Sequence, residues 1–177
     1  MIKELTVHPK PQNNNAKIAF GIALGISFVG FAVYFMMDRF RGFVGMFALL
    51  TLVTAILFYT KYICPSFYYD ITHDYENTPV FVVRQVIGKR QTTLSRIDLA
   101  SITEVKRENK EERRAHKTPT DFRKYVYAPT LFPKTVYRIT VRSRYEKAEL
   151  IVECSEEFAD YLVKCAAFAR ENYASEE

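Results

Sequence analysis

The sequence predicts an α+β membrane protein: two transmembrane helices followed by a β-rich domain that ends in a helix. Two long uncharged apolar runs lie near the N-terminus. Residues 66–154 carry short β-favouring segments separated by turn signals. From Ser155 onward the apolar period changes from two to about three and a half. Mean hydropathy of −0.12 conceals this division, because a very apolar third is averaged with a charged remainder.

Ile18 to Met37 is an uninterrupted uncharged stretch. About 20 residues at 1.5 Å rise cross a hydrocarbon core of roughly 30 Å, so it predicts a span. Lys3, Lys10 and Lys17 before it resemble the start of a signal peptide, but Tyr34–Arg39 offers no small-residue cleavage pattern. Gly42 to Tyr59 supplies the return span, with Tyr59 and Tyr62 suited to the interface. Gly21 and Gly25 share one helical face, and Gly42, Gly45 and Ala48 share another, so both predict close helix packing. Ser27, Thr51 and Thr54 are assigned to packing, not to a conducting path, because neither span contains an embedded charge. Lysines outside the hairpin, against Arg39, Arg41 and Asp38 in its turn, favour an inner-membrane protein with both termini cytoplasmic. This divides the chain into a cytoplasmic tail 1–17, a hairpin 18–63, a cytoplasmic domain 66–174 and a tail 175–177.

In the domain, Ser66–Thr72 predicts a strand, and His73–Pro79 a turn before Val80–Val83. Gly88-Lys89 turns the chain into a strand around Thr92–Arg96, and Ile102 and Val105 suggest a further edge. Lys106–Lys124 has no sustained apolar period and predicts an exposed loop or long strand connection rather than another core helix. Tyr137, Ile139 and Val141 face a core while Arg138, Thr140 and Arg142 face outward. Residues 144–147 then turn the chain into Ala148, Leu150, Val152 and Cys154, with Glu149, Ile151 and Glu153 between them. Ser155 caps a terminal helix whose stripe of Phe158, Leu162, Cys165 and Ala169, widened by Tyr161 and Phe168, packs on the sheet.

Three pieces carry a family resemblance: Tyr69-Asp70-Ile71-Thr72; Val86–Arg90 followed by Ile97–Ile102; and the last hairpin and helix. In this order after two spans, the chain resembles bacterial pleckstrin-homology-like (PH-like) domains attached to paired membrane helices. The resemblance covers Phe67 to about Ala174. It implies a bent antiparallel sheet or partial barrel closed by the C-terminal helix. Eukaryotic relatives often use basic residues at the first hairpin for phosphorylated headgroups, whereas His73–Asn77 here is acidic. Arg84, Lys89, Arg90 and Arg96 form an alternative patch if their strands converge.

The functional expectation is a membrane-tethered noncatalytic interaction or scaffolding module at the inner membrane surface. Its partners are the lipid bilayer and an unidentified membrane or cytoplasmic protein, because tethering raises the local concentration of a weak binder. The alternatives are an anionic-lipid-binding module and a membrane enzyme with a discontinuous active site. The candidate surface is Lys106, Arg107, Lys110, Arg113, Arg114 and Lys117, with Arg123 and Lys124, and the aromatic segment Tyr125, Tyr127 and Phe132. Acidic residues interleave the basic ones, so a solvated face competes with headgroup binding. For the aromatic segment, core packing competes with a binding ridge.

The formal charge of +5 is weak evidence for nucleic acid, and no such partner is expected. His8, His73 and His116 are dispersed, and no HExxH, phosphate loop, dinucleotide fingerprint or nucleophile elbow occurs. No metal or redox cofactor is expected. Asp70, Asp74 and Glu76 are nearby acids better read as solvated turn residues. Cys64, Cys154 and Cys165 form no CxxC pair, which fits reducing surroundings.

Overall fold

A computed structural model describes residues 2–36, 38–75, 77–143 and 147–174, with no side chains described at 172–174. The residues group into two compact units. One comprises residues 11–65 and 130–132, and the other comprises residues 1–10, 66–129 and 133–177.

The first unit is an antiparallel hairpin of α1 (Asn15–Met36) and α2 (Arg41–Phe58), the latter continued by a π-helical turn over Tyr59–Ile63. Both helices are long and apolar enough to cross a membrane. Their contact is narrow. A Cβ added at Gly30 would lie 2.9 Å from the Ala48 Cβ, and Ser27 Oγ donates to the Ala48 carbonyl at 2.9 Å. Gly45 lies under the Tyr34 ring. The sequence reading placed close approaches at Gly21, Gly25 and Gly42, but all three face open space. Spacing locates a face on a helix; the crossing point of the two helices selects which glycines meet a partner. Thr51 and Thr54 donate back to carbonyls of their own helix, at Phe47, Ala48 and Leu50, while Ser27 bridges the two helices.

The second unit holds two four-stranded sheets and a terminal helix. Sheet one contains β1 (Leu5–Val7), β2 (Pro65–His73), β3 (Pro79–Ile87) and β4 (Arg90–Asp98), in that spatial order. Gly88 adopts φ +60° in the β3–β4 turn, a region costly for residues with a Cβ. β1 lies within the segment read as a tail. Thr6 is opposite Asp70 in its antiparallel ladder with β2, Ile2 is buried, and Tyr161 OH donates to the Lys3 carbonyl at 2.7 Å. Three residues with polar neighbours give too short a pattern to announce a strand.

Sheet two has the order β5 (Ile102–Asn109), β7 (Thr135–Arg142), β8 (Lys147–Val152), β6 (Arg123–Tyr127). It is not wholly antiparallel as expected, because β6 runs parallel to β8. The exposed loop expected over Lys106–Lys124 is also corrected. Its first residues complete β5, Lys110–Ala115 form the short helix α3, and Arg123 and Lys124 begin β6. Asn109 and Glu112 make a reciprocal capping box, a local signal that charge counting obscured. The turn expected at 144–147 falls mostly on residues 144–146, outside the described residues.

Tyr137, Ile139 and Val141 enter the core with Ala148, Leu150 and Val152, as their alternation predicts, while Cys154 packs half-buried at its edge. The helix α4 (Glu156–Ala174) covers this core with Phe158, Leu162, Cys165 and Ala169, and Ser155 Oγ accepts the Phe158 N–H at 3.3 Å. Phe168, expected to widen the buried stripe, is 41 % exposed. Tyr69, Phe81 and Phe158 form an aromatic triangle with centroids 6.3–6.4 Å apart. Tyr69 joins the sheets through its hydroxyl, which donates to the Tyr127 carbonyl at 2.6 Å and accepts the Glu153 N–H at 3.3 Å.

Candidate functional site

Turning Tyr137, Ile139 and Val141 into the core leaves Arg138 on the opposite face of β7. Strand alternation predicts a solvated Arg138 there, but it is 3 % exposed. Its Nε and Nη2 donate to the two carboxylate oxygens of Glu108, both at 2.7 Å, and Nη1 donates to Glu149. Glu149 also engages His116 Nε2 at 3.0 Å and accepts from Thr118 Oγ1 at 2.8 Å. Ionised Glu149 has only acceptors, so His116 donates from Nε2.

The Arg138 hydrogen bonds hold the Glu108 carboxyl below its usual range against the opposing effect of desolvation. Burial is the largest single influence on Glu149 and pushes it up. The bonds from Thr118 and His116 and the Arg138 charge together outweigh it and leave the carboxyl lowered. Desolvation alone would lower Arg138, but its two carboxylates hold it above its ordinary value. Every oxygen of both carboxylates has at least one hydrogen-bond partner. The cluster clamps the segment after α3 over sheet two. Sequence reasoning missed Glu108, His116, Thr118, Arg138 and Glu149 as a unit. The available signal was opposite charge on one face of neighbouring strands.

The candidate basic residues do not converge on one field. Lys106 and Arg107 point to opposite faces of β5, and Arg107 Nη1 lies 3.4 Å from Glu156. Lys110 and Arg114 stand four apart on the exposed side of α3, with Lys117 two residues beyond its end. Arg113 instead donates from Nη2 to the Pro133 carbonyl at 3.3 Å. The alternative patch of Arg84, Lys89, Arg90 and Arg96 does not form either. Arg84 pairs with Asp70 and Arg96 with Asp74, while Lys89 and Arg90 lie at the β3–β4 turn. The Asp74 carboxyl is lowered by the Tyr75 N–H first and then by Arg96. Asp70, expected as a solvated turn acid, is instead a buried residue of β2, 4 % exposed. Asp70 and Asp74 have separate arginine partners, and Glu76 lies outside the described residues.

The aromatic segment divides. Tyr125 and Tyr127 project from β6 with stacked rings, 6.1 Å apart and 6° from parallel. They face a cleft of about 460 Å3 between the edge strands β4 and β6, lined also by Leu94, Ser95, Asp98 and Leu150. The cleft is lined by apolar and polar side chains from two edge strands, a surface able to take an extended polypeptide. Phe132 belongs to the hairpin unit with Thr130 and Leu131, and its side chain is 67 % exposed.

Among the described residues, no three His, Cys, Asp or Glu side chains gather in a group able to hold a metal ion. The three cysteines are free. No family model, curated protein or solved structure gives a match to this chain.

Proposed function

We propose that this chain is a membrane-tethered noncatalytic interaction module, a PH-like domain held at the cytoplasmic face of the inner membrane by a two-span hairpin. The β1–β2 ladder carries this reading. Strand β1 precedes the hairpin and β2 follows it, yet they are neighbours in one sheet. An inserted hairpin therefore returns the chain to the compartment it left. The apolar helices also turn large side chains outward, with Phe28 78 % and Phe43 74 % exposed, unlike helices of a soluble core. The lysines flanking the hairpin support a cytoplasmic domain. Two sheets followed by a covering helix support the PH-like reading.

The cleft between β4 and β6 is the proposed contact for a protein partner. A photo-crosslinking residue replacing Ser95 in the full chain should give a discrete protein adduct in native membranes, weakened by Tyr125→Ala. The same residue replacing the exposed Tyr75 should give none. Absence of an adduct at Ser95, or substrate turnover by the purified protein, overturns the noncatalytic binding reading.

A further inference from the structure

Phe132 has a backbone conformation that its side chain disfavours. Its φ is +59°, and a bulky residue in that region is a genuine outlier whose cost must be met by surrounding contacts. Those contacts come from the residues just before α1. The Gln12 N–H donates to Thr130 Oγ1 at 2.7 Å, and Asn13 Nδ2 donates to the Phe132 carbonyl at 3.3 Å. Asn13 Oδ1 in turn accepts the Asn15 N–H at 3.1 Å, at the first residue of the helix. Thr130 and Leu131 are buried, while the Phe132 ring is left outside. A segment distant in sequence is thus fastened to the entry of the first apolar helix and presents one aromatic ring there.

The position of that entry identifies what the ring meets. Ile18 begins the uncharged run and lies five residues after Asn13. α1 begins at Asn15, three residues or about 5 Å of helical rise before Ile18, and Asn13 Oδ1 lies against its first N–H. The headgroup layer on each side of a hydrocarbon core is roughly 5–8 Å deep. Asn13, and with it the Phe132 carbonyl, therefore lies at headgroup depth, and an aromatic ring projecting from that level is within reach of the acyl boundary. Lys17, exposed on the first turn of α1, supplies a cation for the same layer. The apolar outer surface of the hairpin continues from this point.

We propose that Phe132 is a membrane-interface anchor: its ring inserts among lipids beside the start of α1 and makes the 130–132 segment a third bilayer contact. This rests on the reading of α1 and α2 as membrane spans. Burial of the ring in lipid supplies a favourable term for a strained conformation that would otherwise leave a large apolar group in water. The partner is the lipid bilayer itself, through its headgroup–acyl boundary.

The chain contains no tryptophan, so a substituted one is a single reporter. Phe132→Trp, Phe28→Trp and Tyr75→Trp variants of the full chain would be reconstituted in phosphatidylcholine–phosphatidylglycerol vesicles carrying quenchers at shallow or deep acyl positions. Phe28→Trp, in the middle of α1, should be quenched by the deep probe, and Tyr75→Trp only by aqueous iodide. The expected result for Phe132→Trp is blue-shifted emission quenched more by the shallow than the deep probe. Red-shifted emission quenched by iodide overturns the anchor. Blue-shifted emission without lipid quenching also overturns it, by assigning the ring to a protein contact. Failure of deep quenching in Phe28→Trp overturns the spanning reading itself. Hydrogen exchange over residues 128–134 gives a second measurement without tryptophan. Exchange in vesicles should be several-fold faster in Phe132→Ala, which keeps the Cβ and removes only the ring, than in the unaltered chain, and equal rates overturn the proposal.

Discussion

Thr6 and Asp70 stand opposite one another in the β1–β2 ladder although the entire apolar hairpin lies between them in the chain. The pairing constrains topology more strongly than charge counting, because two residues of one sheet occupy one compartment. For a hairpin inserted in a membrane, the flanking lysines then only choose the compartment.

Labelling tests this topology directly. In a cysteine-free background, Lys10→Cys and Ser101→Cys should react with an impermeant thiol reagent only after the inner face is exposed. Phe40→Cys, in the hairpin turn, should react from outside. Labelling of Phe40→Cys and Lys10→Cys from the same side is incompatible with a two-span hairpin.

The hairpin contact predicts unequal responses among glycines. A Cβ at Gly30 meets Ala48, whereas one at Gly21 meets nothing within 4 Å. Gly30→Leu should separate the helices and destabilise the hairpin by about 1–3 kcal/mol, the usual cost of overpacking. Gly21→Leu should be close to neutral. Thermal unfolding in detergent distinguishes them, and equal effects would move the helix crossing away from Gly30.

The Glu108–Arg138–Glu149 cluster predicts both a mutational and a pH effect. Arg138→Met leaves two buried carboxylates facing each other and should cost about 3–5 kcal/mol. Both carboxyls are lowered in the folded protein. Their stabilising contribution is therefore complete above the unfolded carboxylate range, near pH 4.3, and is lost as pH falls through the lower folded values. The melting temperature should decline on acidification from about pH 5 towards pH 3. Glu108→Gln should lower stability at pH 7 and flatten this decline; an unchanged acid slope would remove Glu108 from the linkage.

The terminal helix offers a paired comparison on one element. Leu162 is buried against the core, whereas Phe168 is 41 % exposed. Leu162→Asp places a charge in an apolar contact and should destabilise the domain by several kcal/mol or prevent folding. Phe168→Asp should change stability by less than about 1 kcal/mol. Chemical denaturation measures both, and an unaltered midpoint for Leu162→Asp would put that face in solvent.

Much of the architecture was legible because it is periodic. The apolar helices declare themselves by length, the final hairpin by alternation from Tyr137 to Val152, and α4 by Phe158, Leu162, Cys165 and Ala169. The candidate surface was legible only in part. Tyr127 is buried in the core and Tyr125 packs against it beside a cleft, while the basic residues are divided between strand faces, a short helix and a carbonyl contact at Pro133.

The amino-acid sequence by itself determined where apolar surface must be removed from water, and at which period, because burial follows composition over many consecutive residues. Tertiary structure alone decided how distant segments share that burial. It turned residues 5–7 into a strand, tied the segment after α3 to Glu149, and fastened Thr130–Phe132 to the entry of α1. Each of these depends on a few hydrogen bonds between residues far apart in the chain. Such bonds have no local period, and only folding brings their donors to their acceptors.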